Sequence, residues 1–343
     1  MSELLPITDF LQAPGPILDV RSPGEYAQGH LPGAISFPLF SDDERAQVGT
    51  CYKQKGRETA IELGLELVGP KMAGLVKQAK ALAPKRQVRV HCWRGGMRSS
   101  SVGWLLETSG LEVNLLSGGY KTFRRWVRTL LATPRPLIVV GGMTGTGKTD
   151  ILHALRDSGE QVLDLEGLAN HRGSSYGALM LPPQPSTEQF ENLIAQQWVE
   201  FDPLLPVWVE AESRRVGTCR VPDEIVDQME AANTLEIIRS EAERLDILVD
   251  VYGQAAPEGL IAATERLRKR LGGLRTQKAV EHIKRGELAS AAAIILTYYD
   301  RTYRHDLVRR NKQIPPVDVS NMSITQAVDH IRCQVKDWDW YHS

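Results

Sequence analysis

Cysteine is scarce in this chain, with Cys51, Cys92, Cys219 and Cys333 the four among 343 residues. They lie far apart, which excludes both a dense disulfide framework and the paired spacing of a zinc site, and they read as reduced thiols. Charge of one sign is equally lacking, since 41 Lys and Arg face 42 Asp and Glu for a net charge of -1. The protein is therefore not globally basic, and any polyanion-binding face has to come from segregation of charge. No stretch approaches the roughly 20 apolar residues that a membrane span needs. The opening MSELLPITDFLQ carries acidic residues and no basic-then-apolar leader pattern, so the expected location is cytoplasmic, with no membrane partner. Internal repeats and low-complexity tracts are missing too. What remains is ordinary globular composition, 42% hydrophobic and 24% charged, at a length that holds two domains and a helical extension.

Short apolar runs alternate with helix-like segments from Pro16 to about Leu131. Ile17–Val20, Val88–His91 and Val113–Leu116 read as strands, and Ser99–Glu107 and Phe123–Leu131 carry helical periodicity. Such interleaving predicts a mainly parallel α/β sheet. Thr133-Pro134-Arg135-Pro136 breaks the pattern and reads as a linker. A second α/β pattern follows, with strands at Leu137–Val140, Gln161–Asp164 and Pro206–Glu210 and a helix at Asp150–Arg156. After Pro222 the sequence turns helical and charged. The expected division is an N-terminal α/β domain over 1–132, a parallel α/β core over 133–222, and a helical C-terminal extension over 223–343.

His91-Cys92-Trp93-Arg94-Gly95-Gly96-Met97-Arg98 sets a cysteine between a strand and a glycine-bearing loop that opens a helix. Backbone N–H groups of such a loop turn inward as an anion nest, and the helix start adds positive potential. The expectation is a depressed thiol pKa at Cys92, with Arg94, Gly95, Gly96 and Arg98 completing an anion loop. Upstream, Asp19-Val20-Arg21-Ser22-Pro23-Gly24-Glu25-Tyr26 leading to Gly29-His30-Leu31-Pro32-Gly33-Ala34 resembles the opening signature of rhodanese-like domains. Asp19, Arg21 and Glu25 are expected to tie down the fold. Cys92 and Arg98 also form C-x5-R, the spacing of cysteine phosphatases. Cys51, Cys219 and Cys333 have no comparable setting.

Gly142-Met143-Thr144-Gly145-Thr146-Gly147-Lys148-Thr149 fits the phosphate-loop pattern G-x-x-x-x-G-K-[ST] between a strand and a helix. Gly142, Gly145 and Gly147 let N–H groups approach the oxygens of a phosphate or diphosphate, Lys148 adds a point charge, and the Thr149 hydroxyl suits Mg2+. A magnesium-side carboxylate belongs at the end of a neighbouring strand, where Glu210 is the first choice, then Glu212, then Asp164. The loop from Asp164 to Ser174 follows the second strand, and Asp164, Glu166, Asn170, His171 and Arg172 are its candidate substrate contacts.

Basic residues gather near the cysteine loop, and Lys121, Arg124, Arg125 and Arg128 on one helix form a candidate RNA-contacting set. Further clusters run from Arg266 to Arg285 and from Arg301 to Lys312.

A rhodanese-like domain followed by a P-loop NTPase-like domain resembles the tRNA 2-selenouridine synthase family. Two stretches carry the likeness, Cys92-Trp93-Arg94-Gly95-Gly96-Met97-Arg98 and Leu163-Asp164-Leu165-Glu166-Gly167-Leu168-Ala169-Asn170-His171-Arg172-Gly173-Ser174. The resemblance implies replacement of sulfur by selenium in the wobble-position 2-thiouridine of a tRNA anticodon. It implies selenophosphate as selenium donor, a selenophosphate-producing enzyme as its supplier, and S-geranylation from geranyl diphosphate as the activating step. Cys92 would handle selenium, the phosphate loop would hold the diphosphate, and no ATP hydrolysis would be needed. Two other classes fit the motifs: a C-x5-R phosphatase fused to a kinase-like domain, and a non-catalytic RNA-binding or sulfur-sensing module in which Cys92 is dispensable.

Overall fold

The structure, a computed structural model, describes residues 2–310 and 316–336, with the side chains of 304–310 set aside. The chain divides into two compact units, Met1–Leu130 with Glu191–Gln196, and Leu131–Phe190 with Gln197–Ser343.

In the first unit, five parallel strands form one sheet: β1 (Glu3–Leu5), β2 (Ile17–Asp19), β3 (Ala34–Ser36), β4 (Gln87–His91) and β5 (Glu112–Leu116), in the order β1-β5-β4-β2-β3. Ile17, Leu18 and Asp19 are all buried. A central parallel strand covered by helices on both faces reads as a run of buried residues, and β2 fits that rule except for its carboxylate. Asp19 is neutralised locally. Its oxygens accept from Arg21 Nε at 3.0 Å and Nη2 at 2.6 Å, and the Arg21 guanidinium lies 3.8 Å from the centre of the Tyr120 ring. The trio braces the fold, the role expected of Asp19 and Arg21. Helices Asp42–Lys55, Arg57–Val68 and Met72–Leu82 fill the stretch between β3 and β4. The first of them starts from a reciprocal cap, where Ser41 Oγ accepts the Glu44 N–H and Glu44 accepts the Ser41 N–H. Leu18, Val20, Val88, Val90 and Cys92 share one core with Val102 and Leu106 of the helix Met97–Thr108.

The second unit carries another five-stranded parallel sheet in the order β12-β11-β6-β8-β7. Its strands are β6 (Leu137–Gly142), β7 (Gln161–Leu163), β8 (Val207–Glu210), β11 (Asn233–Ile238) and β12 (Pro316–Asp318), while β9 (Arg215–Val216) and β10 (Cys219–Arg220) make a small antiparallel pair. Helices dominate the segment after residue 222, as expected, and it also supplies two strands. β11 pairs with β6 from Asn233↔Ile138 to Ile237↔Gly142, so the segment beyond 222 completes the sheet that holds the phosphate loop. The helical part has its own core, in which Leu260, Ala263, Leu267, Ala279, Ile283 and Ile295 pack with Tyr176. No helix among the described residues is long and apolar enough to cross a membrane.

Candidate functional site

Cys92 directly follows β4, at the carboxyl edge of the first sheet, and the loop 93–96 runs into the helix Met97–Thr108. Its thiol is 3% exposed and lies 3.2 Å from Ser99 Oγ and 3.8 Å from the Gly96 carbonyl oxygen. Burial alone would raise the thiol pKa. The Ser99 hydroxyl and the backbone N–H groups of Ser99, Arg94 and Gly96 outweigh it, and the net shift is downward. The groups that lower it are backbone N–H donors and one hydroxyl rather than cationic side chains.

Two glycines make that geometry possible. Gly95 has φ +63°, and a Cβ there would stand 2.8 Å from the Leu116 carbonyl oxygen and 2.9 Å from the Gly118 nitrogen. Gly119 braces the loop from the start of the helix Gly119–Leu131, where the Tyr120 N–H donates to the Cys92 carbonyl at 2.8 Å and the Lys121 N–H to the Trp93 carbonyl at 2.9 Å. Gly96, counted with the anion loop, has open space around its α-carbon.

Arg98 does not enter the nest. Its guanidinium pairs with Glu25 at 2.7 and 3.3 Å, while the Ser22 N–H donates to the same carboxylate at the start of the helix Pro23–Gln28. The C-x5-R spacing is thus met in sequence, but its arginine serves as a brace between two helix starts. Arg94 is exposed and contributes its N–H. His91 is fully buried and its pKa is pushed down to about 4 by burial, so it stays neutral beside Asp19.

The phosphate loop joins β6 to the helix Lys148–Asp157. Gly142, Gly145 and Gly147 all take positive φ, at 147°, 84° and 80°. Lys148 Nζ donates to the carbonyls of Gly142 at 2.8 Å and Met143 at 3.2 Å. Burial lowers its pKa against the pull of Glu166, Glu212 and Glu210. Thr149 Oγ1 donates to Glu166 Oε2 at 3.3 Å. The carboxylate in contact with Thr149 is thus Glu166, which the sequence placed among substrate contacts. Glu210, the first choice for that place, stands behind it. One Glu210 oxygen accepts the Glu166 N–H at 2.6 Å, and the other is buried without a hydrogen-bond partner. Burial and neighbouring carboxylates raise the pKa of all three glutamates, that of Glu212 to about 8.

The other loop residues turn inward to hold the loop itself. Asp164 accepts from the Gly167 N–H at 2.7 Å and pairs with His153 at 2.8 Å. Asn170 adopts φ +50° and donates to the Pro183 carbonyl. His171 is 9% exposed, with its ring against the backbones of Gly177 and Gly217. Arg172 donates to the Leu179 carbonyl and faces the Tyr252 ring at 5.7 Å.

Two arginines escaped the sequence reading. Arg244 donates to the Thr144 carbonyl at 2.8 Å and pairs with Asp300 at 2.5 and 3.0 Å. Arg239 donates to the Thr146 carbonyl at 3.2 Å, and its Nη2 is buried without a partner about 4.0 Å from where a Gly147 Cβ would stand. They lie far downstream of the loop they touch, and the one local signal is an arginine at the carboxyl end of a strand.

On the helix Gly119–Leu131, Lys121, Arg125 and Arg128 are exposed while Tyr120, Phe123 and Val127 are buried. Arg124, expected beside them on RNA, instead pairs with Glu191 and bonds Asn192. In the Arg266–Arg285 cluster, Arg266 donates to the Ser175 carbonyl and Arg268 pairs with Glu265. In the Arg301–Lys312 cluster, the side chains of Arg304, His305, Arg309 and Arg310 and all of Lys312 lie outside the described residues.

The sequence model of a rhodanese-like domain matches residues 7–125, and that of the tRNA 2-selenouridine synthase AAA domain matches residues 135–334. The chain is 35% identical to a protein of Marinobacter nauticus named tRNA 2-selenouridine synthase, over 87% of this chain and 90% of that one. Proteins of the same name from Shewanella oneidensis and Pseudomonas putida are 32% and 35% identical, over 89% and 90% of this chain and 90% and 92% of theirs.

Proposed function

The chain belongs to the tRNA 2-selenouridine synthase family, and from that premise we propose that this tRNA-modifying enzyme exchanges sulfur for selenium in wobble-position 2-thiouridine by way of an S-geranyl intermediate. The observation that carries the reading is the presence in one chain of two different anion sites. One is a thiol held in a backbone nest, and the other is a phosphate loop gripped by Lys148.

In the first step the thiouridine sulfur attacks C1 of geranyl diphosphate. The C1–O bond breaks, diphosphate leaves, and the N3 proton of the base is lost to solvent. N–H groups of the loop 142–149 and the Lys148 ammonium bind the departing diphosphate, so they stabilise charge that develops in the transition state. Nucleotide hydrolysis has no place in this sequence. The Thr149 hydroxyl and the Glu166 carboxylate, with Glu210 behind, fit a magnesium ion. Among the described residues no group of three His, Cys, Asp or Glu side chains could hold a metal unaided. Mg2+ is commonly bound by one or two protein groups together with substrate phosphates. When bound, it neutralises charge on the diphosphate.

In the second step water cleaves the P–Se bond of selenophosphate to give phosphate and hydrogen selenide; the selenide adds to C2 of the base, the C2–S bond breaks, geranylthiolate leaves, and the selenol proton passes to N3. The Cys92 loop is the selenium-delivery site, with Cys92 as the selenium-handling thiol. Its inward N–H groups suit the phosphoryl oxygens of selenophosphate and the hydrogen selenide released from it. A selenophosphate-producing enzyme supplies the donor, and the reaction belongs in the cytoplasm with its tRNA.

The test is mass spectrometry of tRNA nucleosides from cells carrying the parent or Cys92→Ala. Selenouridine should vanish in the mutant while geranylthiouridine persists, because the diphosphate site lies in the other unit. Normal selenouridine in the mutant would overturn the assignment of Cys92.

A further inference from the structure

The second unit contains an apolar pocket beside the phosphate loop. Its walls are hydrocarbon from Leu248, Leu260, Ile283, Ala291 and Ile295, drawn from four helices of the C-terminal part. Tyr176, Tyr252 and Tyr299 add ring faces. Their polar tips are already engaged: the Tyr176 hydroxyl with Thr264 Oγ1 at 2.8 Å, that of Tyr299 accepting the Ser175 N–H at 3.1 Å, and that of Tyr252 with Ser174. The lining therefore offers a ligand almost nothing but carbon.

Thr144 of the phosphate loop forms one edge of the pocket. The helix Glu241–Tyr252 connects the two chemistries. Arg244, Leu248 and Tyr252 follow at four-residue intervals and so lie along one stripe of that helix. Arg244 holds the Thr144 carbonyl, and a Cβ at Gly145 would stand 3.2 Å from Leu248 Cγ. Leu248 and Tyr252 then line the cavity. The stripe passes from cation to hydrocarbon within two turns, starting at the loop that binds phosphate.

We infer that this pocket holds the hydrocarbon chain of an allylic prenyl diphosphate whose diphosphate rests on residues 142–149. The inference rests on the reaction proposed above and gives its prenyl donor a chain-binding site. It also predicts selection against nucleotides. An adenine ring in this cavity would leave its ring nitrogens and amino group without partners, a loss that a carbon wall cannot offset.

Chain length supplies the test, on the full-length protein with magnesium. Titration calorimetry would compare inorganic diphosphate, dimethylallyl diphosphate and geranyl diphosphate. Each buried CH2 contributes about four-fold in affinity, so five further carbons should tighten binding on the order of 100-fold or more. ATP should bind no better than inorganic triphosphate. Ala292→Phe, which places a ring in the cavity, should bring geranyl diphosphate down to the affinity of dimethylallyl diphosphate while inorganic diphosphate binds as before. That retained affinity shows that the variant is folded, and the chain-length series on the parent needs no variant at all. Equal affinity for the three diphosphates, or Ala292→Phe without effect on geranyl diphosphate, would overturn the inference. Geranyl transfer to thiouridine RNA, measured alongside, separates the two readings. Transfer with chain-independent binding removes the pocket alone. Chain-dependent binding without transfer removes the proposed reaction and leaves the pocket standing.

Discussion

Replacing Gly119 by alanine should damage the cysteine loop from outside it. Gly119 has φ +60°, a conformation that costs an L-residue about 1–2 kcal/mol. The added Cβ would stand 2.4 Å from both the Cys92 carbonyl oxygen and the Gly95 nitrogen, where ordinary contact begins at 3.4 Å. Relieving that overlap separates the loop from the helix start and sacrifices the Tyr120–Cys92 and Lys121–Trp93 backbone hydrogen bonds. Each such bond contributes about 1 kcal/mol net, so with the backbone cost the whole loss is about 3–4 kcal/mol. The N–H donors around the thiol move with the loop, and the Cys92 pKa should rise. Two measurements report this: urea denaturation, and peptide-resolved alkylation of Cys92 as a function of pH. The denaturation midpoint should fall and the alkylation midpoint should shift to higher pH. Gly96→Ala is the matched control. Its φ is -106° and nothing lies within 4 Å of an added Cβ, so it should stay within about 0.5 kcal/mol of the parent. Unchanged stability and titration in Gly119→Ala, or equal damage from Gly96→Ala, would refute the argument.

Lys148→Ala should slow geranyl transfer on the order of 100- to 1,000-fold, assayed with geranyl diphosphate, magnesium and thiouridine RNA without nucleotide; full activity, or a requirement for ATP hydrolysis, would refute the assignment. Glu212 carries a folded pKa of about 8 against an ordinary 4.5, so the folded protein keeps a proton that the unfolded chain has released. Its contribution is complete below about pH 4.5 and declines as pH rises through 8. Thermal melts of the metal-free protein should fall across that window, less steeply in Glu212→Gln, and equal slopes for the two proteins would count against a protonated Glu212. Lys121, Arg125 and Arg128 changed together to alanine should weaken filter binding of all tRNAs alike, and the slope of log affinity against log salt should drop by about 0.7–0.9 for each phosphate that the variant no longer neutralises. An unchanged slope would reduce this helix face to a solvated surface.

The strands at the heart of both sheets were legible because they are continuous apolar runs ended by glycine or a polar turn, as Leu137–Gly142 shows. The two loops were legible because their geometry depends on glycine at fixed spacing. Other features left no local trace. The helix Asp42–Lys55 has almost no apolar face and is specified mainly by its cap. β11 and β12 lie within charged sequence, and their place is set by pairing, β11 with β6 and β12 with β11, rather than by their own pattern. Arg98 looked like a cation for the cysteine loop because spacing along the chain cannot register Glu25, its partner from a distant helix start. Arg124 was misjudged for the same reason. Distance in sequence also hid Arg239 and Arg244, and it hid the pocket, whose residues come from separate helices.

The two loops use the same backbone device for different charges. Around Cys92, N–H groups and one serine hydroxyl supply the stabilisation, and the nearest arginine side chain of the following helix is taken by Glu25. That is enough for a singly charged sulfur or selenium, and it avoids fixing a cation on a nucleophile that has to leave. The phosphate loop instead gathers Lys148, Arg239 and Arg244 around its glycines and sets Glu166, Glu210 and Glu212 against them. Burial raises the pKa of each of those glutamates, that of Glu212 to about 8, which keeps a proton there at neutral pH. A cation arriving with a diphosphate would release such a proton, so binding there should show a proton release that depends on magnesium. The cysteine loop holds no comparable carboxylates and should show none. The division of labour between a carrier of one negative charge and a cradle for several is therefore written into which side chains accompany the same turn of backbone.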